Sequence, residues 1–244
     1  MAKKDFEIPE GKLATMLLNG VETEFVPGTD AADYYFTDKF ETRPCSYGDR
    51  GTDNYRAAIC VGPDGIIPGM SVLPAAIGGV VGEKEADGIT VNSTSHDFSA
   101  LILNGGTYSL KNAKLNFITK SDGSHVSDFT GYGSLVAAFN KSKVTLENCD
   151  VQSYGVAKPA IFCDDESDGL IKNCVCKVMG GQTYEGYPNT ADCTIMVAPP
   201  WVLGITGSAR GTNEMGKHPS LTIVDSDMNA NQWGVLSTDG GENM

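Results

Sequence analysis

One short pattern occurs four times in the chain: an apolar residue, any residue, an asparagine or aspartate, a small residue, any residue and a second apolar residue. The copies are residues 110–115, 146–151, 171–176 and 223–228. An apolar stretch that ends in a polar residue precedes each copy, at 100–104, 135–140, 160–164 and 201–206, and a fifth such stretch opens at 234–238. A repeat of this kind predicts a solenoid, in which each unit buries its apolar face against the next unit.

The repeat predicts three short strands per unit, joined by bends, and therefore an all-β fold: a parallel β-helix of three-strand coils. The bend residue is Asn112, Asn148, Asn173 and, in the fourth copy, Asp225. Asparagine tolerates left-handed backbone, and its amide can hydrogen-bond the equivalent side chain one coil away, about 4.8 Å along the axis. The alternative, a β-sandwich, would show several Asn-Gly hairpin turns, whereas residues 88–244 contain one, at Asn104-Gly105-Gly106.

These bend residues resemble the asparagine ladder of the right-handed parallel β-helix proteins of the pectin-lyase-like superfamily. The resemblance covers residues 88–244 and implies a right-handed parallel β-helix. Residues 1–87 lack the repeat and contain a Gly/Pro-rich run at 62–69. Because a solenoid needs a cap over its apolar end, we interpret 1–87 as an N-terminal capping segment with irregular strands rather than as an independent domain.

The last repeat unit is short. A single strand begins at Gly234, and the sequence stops at Met244. We therefore expect the C-terminal coil to be incomplete, with open backbone edges that pair with other polypeptide. Its completion comes either from a further segment of a longer chain or from a second polypeptide in a hetero-oligomer.

Composition argues against several partners and compartments. The chain has 18 basic and 31 acidic residues, a net charge of −13 and no basic cluster, so we expect no nucleic-acid partner. No apolar run reaches the ~20 residues of a membrane-spanning helix, and residues 1–10 lack the apolar stretch of a secretory signal. The expectation is therefore a cytoplasmic protein without a membrane partner.

The cysteines and histidines do not indicate a metal centre. The seven cysteines form no C-x-x-C pair and the three histidines no metal-binding spacing, so no zinc or iron–sulfur site is expected. Cys149 and Cys174 each follow a bend asparagine and should stack on successive coils. Their spacing falls within the range of a disulfide, and free buried thiols, as in a reducing cytosol, are the favoured alternative.

Long insertions should flank the first strand of each unit and form the walls of a groove whose floor is the first-strand sheet. The insertions are 118–134, 179–200 and 207–219. One wall carries His125, Tyr184, Glu185, Tyr187 and, at its base, Trp201, and the other carries Arg210, Glu214, Lys217 and His218. Long loops on one face of a repeat fold are usually its binding face. The aromatic side chains would suit stacking on sugar rings, or they simply pin a long loop to the sheet.

Two stripes of polar residues cross the predicted first-strand sheet. One contains Asn104, Asn140, Asp164, Thr206 and Thr238, and the next contains Gly105, Lys141, Asp165, Gly207 and Asp239. Lys141 should neighbour Asp165, while Asp165 and Asp239 should lie two coils apart, about 9.5 Å. That distance is near the upper separation of the two carboxyl groups in inverting glycosidases. The same aspartates could instead be solvated turn formers, and the oxygen-rich run 164–168 could bind Ca²⁺.

The superfamily resemblance implies two enzyme templates. Lyases of this superfamily use an Arg or Lys base near acidic, often calcium-binding, residues, and Arg210 or Lys217 opposite Asp164 and Asp165 matches that arrangement. Related glycoside hydrolases use an Asn-Thr-Asp, Asp-Asp and Gly-His-Gly series. Here Asp164-Asp165 precedes Ser237-Thr238-Asp239 and no Gly-His-Gly occurs, so the sequence departs from the hydrolase pattern.

Two functions remain open from the sequence. The first is a carbohydrate-active enzyme, a lyase or hydrolase that processes a small glycoside, an oligosaccharide or another polyhydroxylated compound. Its candidate catalytic residues are Asp164, Asp165, Asp239, Arg210, Lys217 and His218, and its candidate substrate contacts are Tyr184, Tyr187, Trp201, His125 and Lys141. The second is a non-catalytic binding or assembly module whose open C-terminal end pairs with another polypeptide. The fold does not choose between them, because this architecture hosts enzymes, adhesins and scaffolds alike.

Overall fold

The computed structural model describes residues 10–23, 56–95, 98–122, 130–186, 209–232 and 234–238. Over these residues the chain is almost entirely β, with two short 3-10 helices, and its strands form three long, mostly parallel sheets. The predicted fold class is confirmed, since the chain is an all-β parallel solenoid.

The N-terminal part of the described chain contains eight short strands. They are β1 (Thr15–Leu18), β2 (Val21–Thr23), β3 (Arg56–Gly62), β4 (Gly65–Ile66), β5 (Ala76–Ile77), β6 (Val80–Val81), β7 (Glu85–Asp87) and β8 (Thr90–Ser93). The two 3-10 helices, Pro68–Met70 and Leu73–Ala75, lie between β4 and β5. β3, β7 and β8 form coil 1 of the solenoid, because each is the parallel partner of a strand in the next coil.

Four further coils follow, each with one strand in each of the three sheets. Coil 2 is β9 (Phe98–Asn104), β10 (Thr107–Lys111) and β11 (Lys114–Asp122), and coil 3 is β12 (Val136–Phe139), β13 (Lys143–Glu147) and β14 (Asp150–Val156). Coil 4 is β15 (Lys158–Asp164), β16 (Asp168–Lys172) and β17 (Val175–Met179), and coil 5 is β18 (Ala209–Met215), β19 (Ser220–Val224) and β20 (Asp227–Ala230). Sheet I has the order β4-β3-β9-β12-β15-β18, sheet II the order β2-β1-β6-β7-β10-β13-β16-β19, and sheet III the order β5-β8-β11-β14-β17-β20.

The coils stack in register, so equivalent side chains form columns along the solenoid axis. In sheet II, Leu110, Leu146, Ile171 and Ile223 are successive neighbours. In sheet III, the corresponding column is Leu115, Val151, Cys176 and Met228. The members of both columns in coils 2–4 are at most 1% exposed. These inward columns are the core, and burying each large apolar side chain contributes roughly 1.5–3 kcal/mol.

The predicted asparagine ladder lies at the bend between sheets II and III. Asn112, Asn148, Asn173 and Asp225 have positive φ, between 47° and 56°. The Nδ2 of Asn112 donates to Asp87 Oδ1 at 2.7 Å, and the Nδ2 of Asn148 donates to Asn112 Oδ1 at 3.4 Å. One short polar side chain in each of coils 2–5 therefore permits the left-handed bend, and those of Asn112 and Asn148 also link their coils to the preceding one.

Replacing Asn148 with alanine should lower the free energy of unfolding by about 1–2 kcal/mol, because a Cβ without a polar side chain is disfavoured at positive φ. Asn148→Gly should cost less, since glycine adopts this backbone freely and loses only the amide bond to Asn112. Denaturant unfolding of both variants measures the difference. Equal losses for the two would show that the left-handed bend is not what requires asparagine.

The solenoid begins before residue 88. β3 and β7 both lie within the segment 1–87 interpreted as a cap, yet they pair parallel and in register with β9 and β10. Beyond coil 1, sheet II continues through β6 and β1 to the antiparallel β1–β2 hairpin. Antiparallel strands thus occupy the N-terminal edge of sheet II, where they pair its backbone groups.

Two details of the predicted register are wrong. Phe139, rather than Asn140, is the direct partner of Asn104, although Nδ2 of Asn140 still donates to Asn104 Oδ1 at 2.6 Å from the adjoining bend. The first strand of coil 5 is Ala209–Met215 rather than 201–206, so Met215 rather than Thr206 pairs with Asp164. Apolar alternation pointed to 201–206, which lies outside the described residues.

Candidate functional site

The outer face of sheet I, predicted to be the floor of an open groove, carries a packed apolar cluster. Cys60, Ile102, Ala137 and Phe162 are consecutive neighbours across coils 1–4, and all are fully buried. Tyr132 packs against this row, and the Phe139 and Phe162 rings are 5.6 Å apart at an interplanar angle of 43°. The centre of this face is therefore covered in the described structure.

The bend between sheets I and II brings together five of the predicted site residues. We call Lys141, Asp164, Asp165, Glu166, Lys217 and His218 the bend cluster. The predicted contact between Lys141 and Asp165 is confirmed, since the Lys141 N–H donates to the Asp165 carbonyl at 2.8 Å. The Lys217 N–H donates to Asp165 Oδ1 at 3.3 Å, and the Lys217 carbonyl accepts from the Glu166 N–H at 2.6 Å.

Most of the bend cluster faces solvent. The Lys141 Nζ lies 3.2 Å from Glu166 Oε1, with the two side chains 71% and 47% exposed. Asp164 is buried and Asp165 is half-buried. Positive φ at Lys141, Asp165, Glu166 and His218 shows that the chain makes tight left-handed bends on successive coils. An exposed ion pair of this kind contributes less than about 1 kcal/mol to stability.

Tyr184 lies away from the bend cluster. It packs against Val156 and Ala157, at the corner where β15 begins, whereas the bend cluster lies where β15 ends. Its backbone N–H donates to the Asp122 carbonyl at 3.0 Å. These contacts match the loop-pinning alternative for this residue. Four other predicted site residues, His125, Tyr187, Trp201 and Asp239, lie outside the described residues.

Arg210, predicted to face the groove from a loop, instead belongs to β18 and lines the interior of coil 5. It is 1% exposed and shares a cavity of about 400 Å³ with Thr212 and Glu214 of the same strand. The rest of the lining is Leu221, Ile223, Leu236, Ser237 and Thr238. The prediction failed because inward strand positions were expected to be apolar, and this strand places polar side chains there.

Three polar side chains of β18 thus line the interior of coil 5. Thr212 pairs with Ile161 of coil 4, and Glu214 pairs with Cys163. Desolvation raises the pKa of Glu214. Burial, followed by the charge of Glu214, raises the pKa of Cys163 to about 12. At this end of the solenoid, a carboxylate therefore occupies an inward position that holds the apolar Cys163 in the preceding coil.

The variant Glu214→Gln should be more stable than the native protein at neutral pH. Folding raises the pKa of Glu214, so the protonated carboxyl adds to the free energy of unfolding. This contribution is complete below the ordinary pKa of 4.5 and is lost as the pH rises through the folded-state pKa. Glutamine removes the charge at every pH, so the gain should disappear near pH 4.5. Thermal unfolding at both pH values measures it, and a gain that is independent of pH would contradict the desolvation of this carboxylate.

The C-terminal face of coil 5 exposes part of the apolar core. Leu221, Ile223, Met228 and Ala230 are half-buried, whereas the inward residues one coil below them are buried. Leu236, which lines the same cavity, is 60% exposed. The Leu221 side chain packs directly against Gly169, where an added Cβ would collide with it. We call the surface formed by Leu221, Ile223, Met228 and Ala230 the open face.

The strands that carry the open face are sheet edges. Within the part of the chain that the structure describes, β19 ends sheet II and β20 ends sheet III. Among the described residues sheet I continues further, since Gly211 and Thr212 donate their N–H groups to the carbonyls of Gly234 and Val235. An exposed parallel edge with an apolar face beside it is a template for pairing with another strand.

The open face was not among the predicted site residues, although the sequence contains its signal. Its four side chains are the inward positions of the fourth repeat copy and of the strands on either side of its bend. The sequence predicted an incomplete last coil, but these four apolar side chains were not predicted to form a binding surface.

Three comparisons with known proteins found no match among family models, curated proteins or solved structures. Among the described residues, no three His, Cys, Asp or Glu side chains come together as metal ligands. None of the helices in the described ranges has the length and apolar character needed to cross a membrane.

Proposed function

We propose that this chain is a binding or assembly module in which the open face receives a polypeptide segment that continues the solenoid. The observation that supports the proposal is the change in burial along the inward columns. Ile171 and Cys176 are buried, and the next residues in the same columns, Ile223 and Met228, are half-buried on β19 and β20, which end sheets II and III among the described strands.

The edges give the proposed contact its geometry. The Ser220 N–H donates to the Ser167 carbonyl, and the Asn173 N–H donates to the Val224 carbonyl. In a parallel strand, the N–H and C=O of one residue point to the same neighbouring strand, and those of the next residue point to the strand on the opposite side. Leu221 and Ile223 therefore direct theirs away from coil 4, toward an incoming strand. Such a strand gains main-chain hydrogen bonds and covers the apolar side chains, which is the physics of β-strand addition.

Mass spectrometry of the protein from its natural source tests this proposal. A native mass above the 25.8 kDa of the chain that falls on denaturation supports completion by a second polypeptide, provided that β19 and β20 are protected from hydrogen exchange in the complex. A single longer polypeptide with the same protection supports completion by a further segment of the same chain. A bare monomer of 25.8 kDa with exchanging edges would contradict the proposal.

A second candidate function is a lyase or hydrolase acting on a small glycoside or another polyhydroxylated compound. It is favoured by the convergence of Asp164, Asp165, Lys141, Lys217 and His218 at one bend. The candidate residues combine carboxylates with cationic groups, as general acid–base chemistry requires. The resemblance to the pectin-lyase-like superfamily supports the same candidate, and its lyase template would place Ca²⁺ at Asp164 and Asp165.

Variants of the bend cluster test the second candidate. In a panel of glycosides and uronides, Asp165→Asn and Lys217→Ala should each reduce turnover by about 100-fold if these groups act in the reaction. Lys143→Ala is the matched control. Lys143 is an exposed cation on β13, and its Nζ lies 3.6 Å from Asp168 Oδ2. Unchanged turnover in both variants would rule out the bend cluster as a catalytic site.

A further inference from the structure

The coils of the solenoid share one eleven-residue pattern across sheets II and III, running from 107 to 117 in coil 2 and from 220 to 230 in coil 5. The second and fourth positions face inward in sheet II, and the ninth and eleventh face inward in sheet III. The sixth position is the ladder residue, and the seventh is a small side chain. In coil 5 these positions are Leu221, Ile223, Met228, Ala230, Asp225 and Ser226.

Asparagine side chains of successive coils donate in one direction, and the bond from Asn148 to Asn112 joins two ladder positions. Asparagine Nδ2 of the later coil donates to an oxygen of the earlier coil in Asn112 to Asp87, Asn148 to Asn112, Asn140 to Asn104 and Asn116 to Asn92. Asp225 holds the ladder position of coil 5, with φ of 47°. Its carboxylate can only accept, so it suits an amide donor arriving from the next coil.

The seventh position shows the opposite direction. The Cys149 N–H donates to Cys174 Sγ at 3.3 Å, and the Cys174 N–H donates to Ser226 Oγ at 3.0 Å. Coils 3 and 4 thus each donate the backbone N–H of the seventh residue to the small side chain of the following coil. By the same stacking, the Ser226 N–H is directed to the seventh residue of an incoming coil.

We infer that the segment received by the open face is an eleven-residue strand–bend–strand, parallel to β19 and β20, with apolar or small residues at positions 2, 4, 9 and 11. It carries asparagine at position 6, which donates to Asp225, and serine or cysteine at position 7, which accepts from Ser226. This inference rests on the proposed function and specifies its partner. The side chains at positions 2 and 4 lie over Leu221 and Ile223, and they fill the cavity that these residues share with Arg210 and Glu214.

A synthetic peptide tests the pattern. The probe is TYSLKNSKLNF, the 107–117 sequence with Ala113→Ser, and the control is YTLSKNSLKFN, which has the same composition with its apolar residues moved to outward positions. Titrated into the full 244-residue chain, the probe should bind with Kd below about 1 mM and should slow hydrogen exchange in β19 and β20. The control should do neither.

A charge swap tests the ladder contact. Asn112→Asp in the probe places a carboxylate against Asp225 and should weaken binding by about fivefold. Asp225→Asn in the protein should restore the affinity of that peptide, because one partner again supplies an amide donor. A purely structural role of Asp225 would not produce this rescue.

The outcomes separate the inference from the proposed function. Binding of the probe alone, with rescue by Asp225→Asn, supports the pattern. Absence of binding near 1 mM, equal binding of probe and control, or no rescue would overturn it. If the natural partner protects β19 and β20 through a segment without the pattern, the inference fails and the proposed function stands. If no natural partner protects these edges, the proposed function itself fails.

Discussion

Phe162→Ala should lower the free energy of unfolding by about 3–5 kcal/mol. The Phe162 side chain is fully buried on the outer face of sheet I, next to Ile102, Ala137 and the ring of Phe139. Its removal leaves a cavity in a packed cluster that cannot collapse fully, because the backbone of sheet I is held by strands on both sides. Denaturant unfolding followed by circular dichroism measures the loss.

Ile118→Ala is the matched control for Phe162→Ala. Ile118 also lies on a solenoid strand, but its side chain is 51% exposed. Its truncation should cost less than about 1 kcal/mol. A loss of similar size for Phe162→Ala would mean that the outer face of sheet I is an open surface, as the sequence suggested, rather than a second layer of packing.

Lysine substitutions at two neighbouring positions of one inward column should separate stability from partner binding. Ile171→Lys buries an unpaired charge in the core and should destabilise the chain by more than about 4 kcal/mol. Ile223→Lys, one coil further along, should cost the isolated chain only about 1 kcal/mol, since its side chain can reach solvent. The same lysine should weaken binding of a coil-completing segment by at least about 100-fold, because binding would bury its charge.

Unfolding free energies of the isolated variants and affinities for the coil-completing peptide provide the test. Leu236→Lys is a useful second variant, because Leu236 is 60% exposed and belongs to the strand segment that already continues sheet I. Its effect on folding should be small. If Ile223→Lys binds as well as the native protein, the open face does not contact the partner.

The fold was predictable because one pattern recurs with little variation. Asn112, Asn148, Asn173 and Asp225 gave the bends, and the apolar residues around them gave the inward columns. Repetition turns several weak local signals into one consistent register, since a shift in one coil would misalign its ladder residue with both neighbours. Coil 1 was harder to recognise because 3-10 helices and short strands separate β3 from β7.

The candidate sites were harder to predict than the fold. The rule that inward strand positions are apolar fails in β18, where Arg210, Thr212 and Glu214 line the interior. Because β18 lacks the apolar pattern, the strand was predicted at the apolar run 201–206 instead. The outer face of sheet I was expected to be a groove, because its alternate residues were not recognised as a second apolar layer. The bend cluster was predicted in part, since the repeat identified β12 and β15, which Lys141 and Asp165 follow, although the predicted register of β12 was shifted by one residue.

Residue-resolved hydrogen exchange at the open face is the most direct test of the central claim. In the isolated chain, the amides of Thr222 and Val224 should exchange slowly, because they are directed toward coil 4, and those of Leu221 and Ile223 should exchange fast. In the complete natural assembly, all four should be slow, as should Met228 and Ala230. If Leu221 and Ile223 exchange equally fast in both preparations, the solenoid is not continued at this face and the proposed function is wrong.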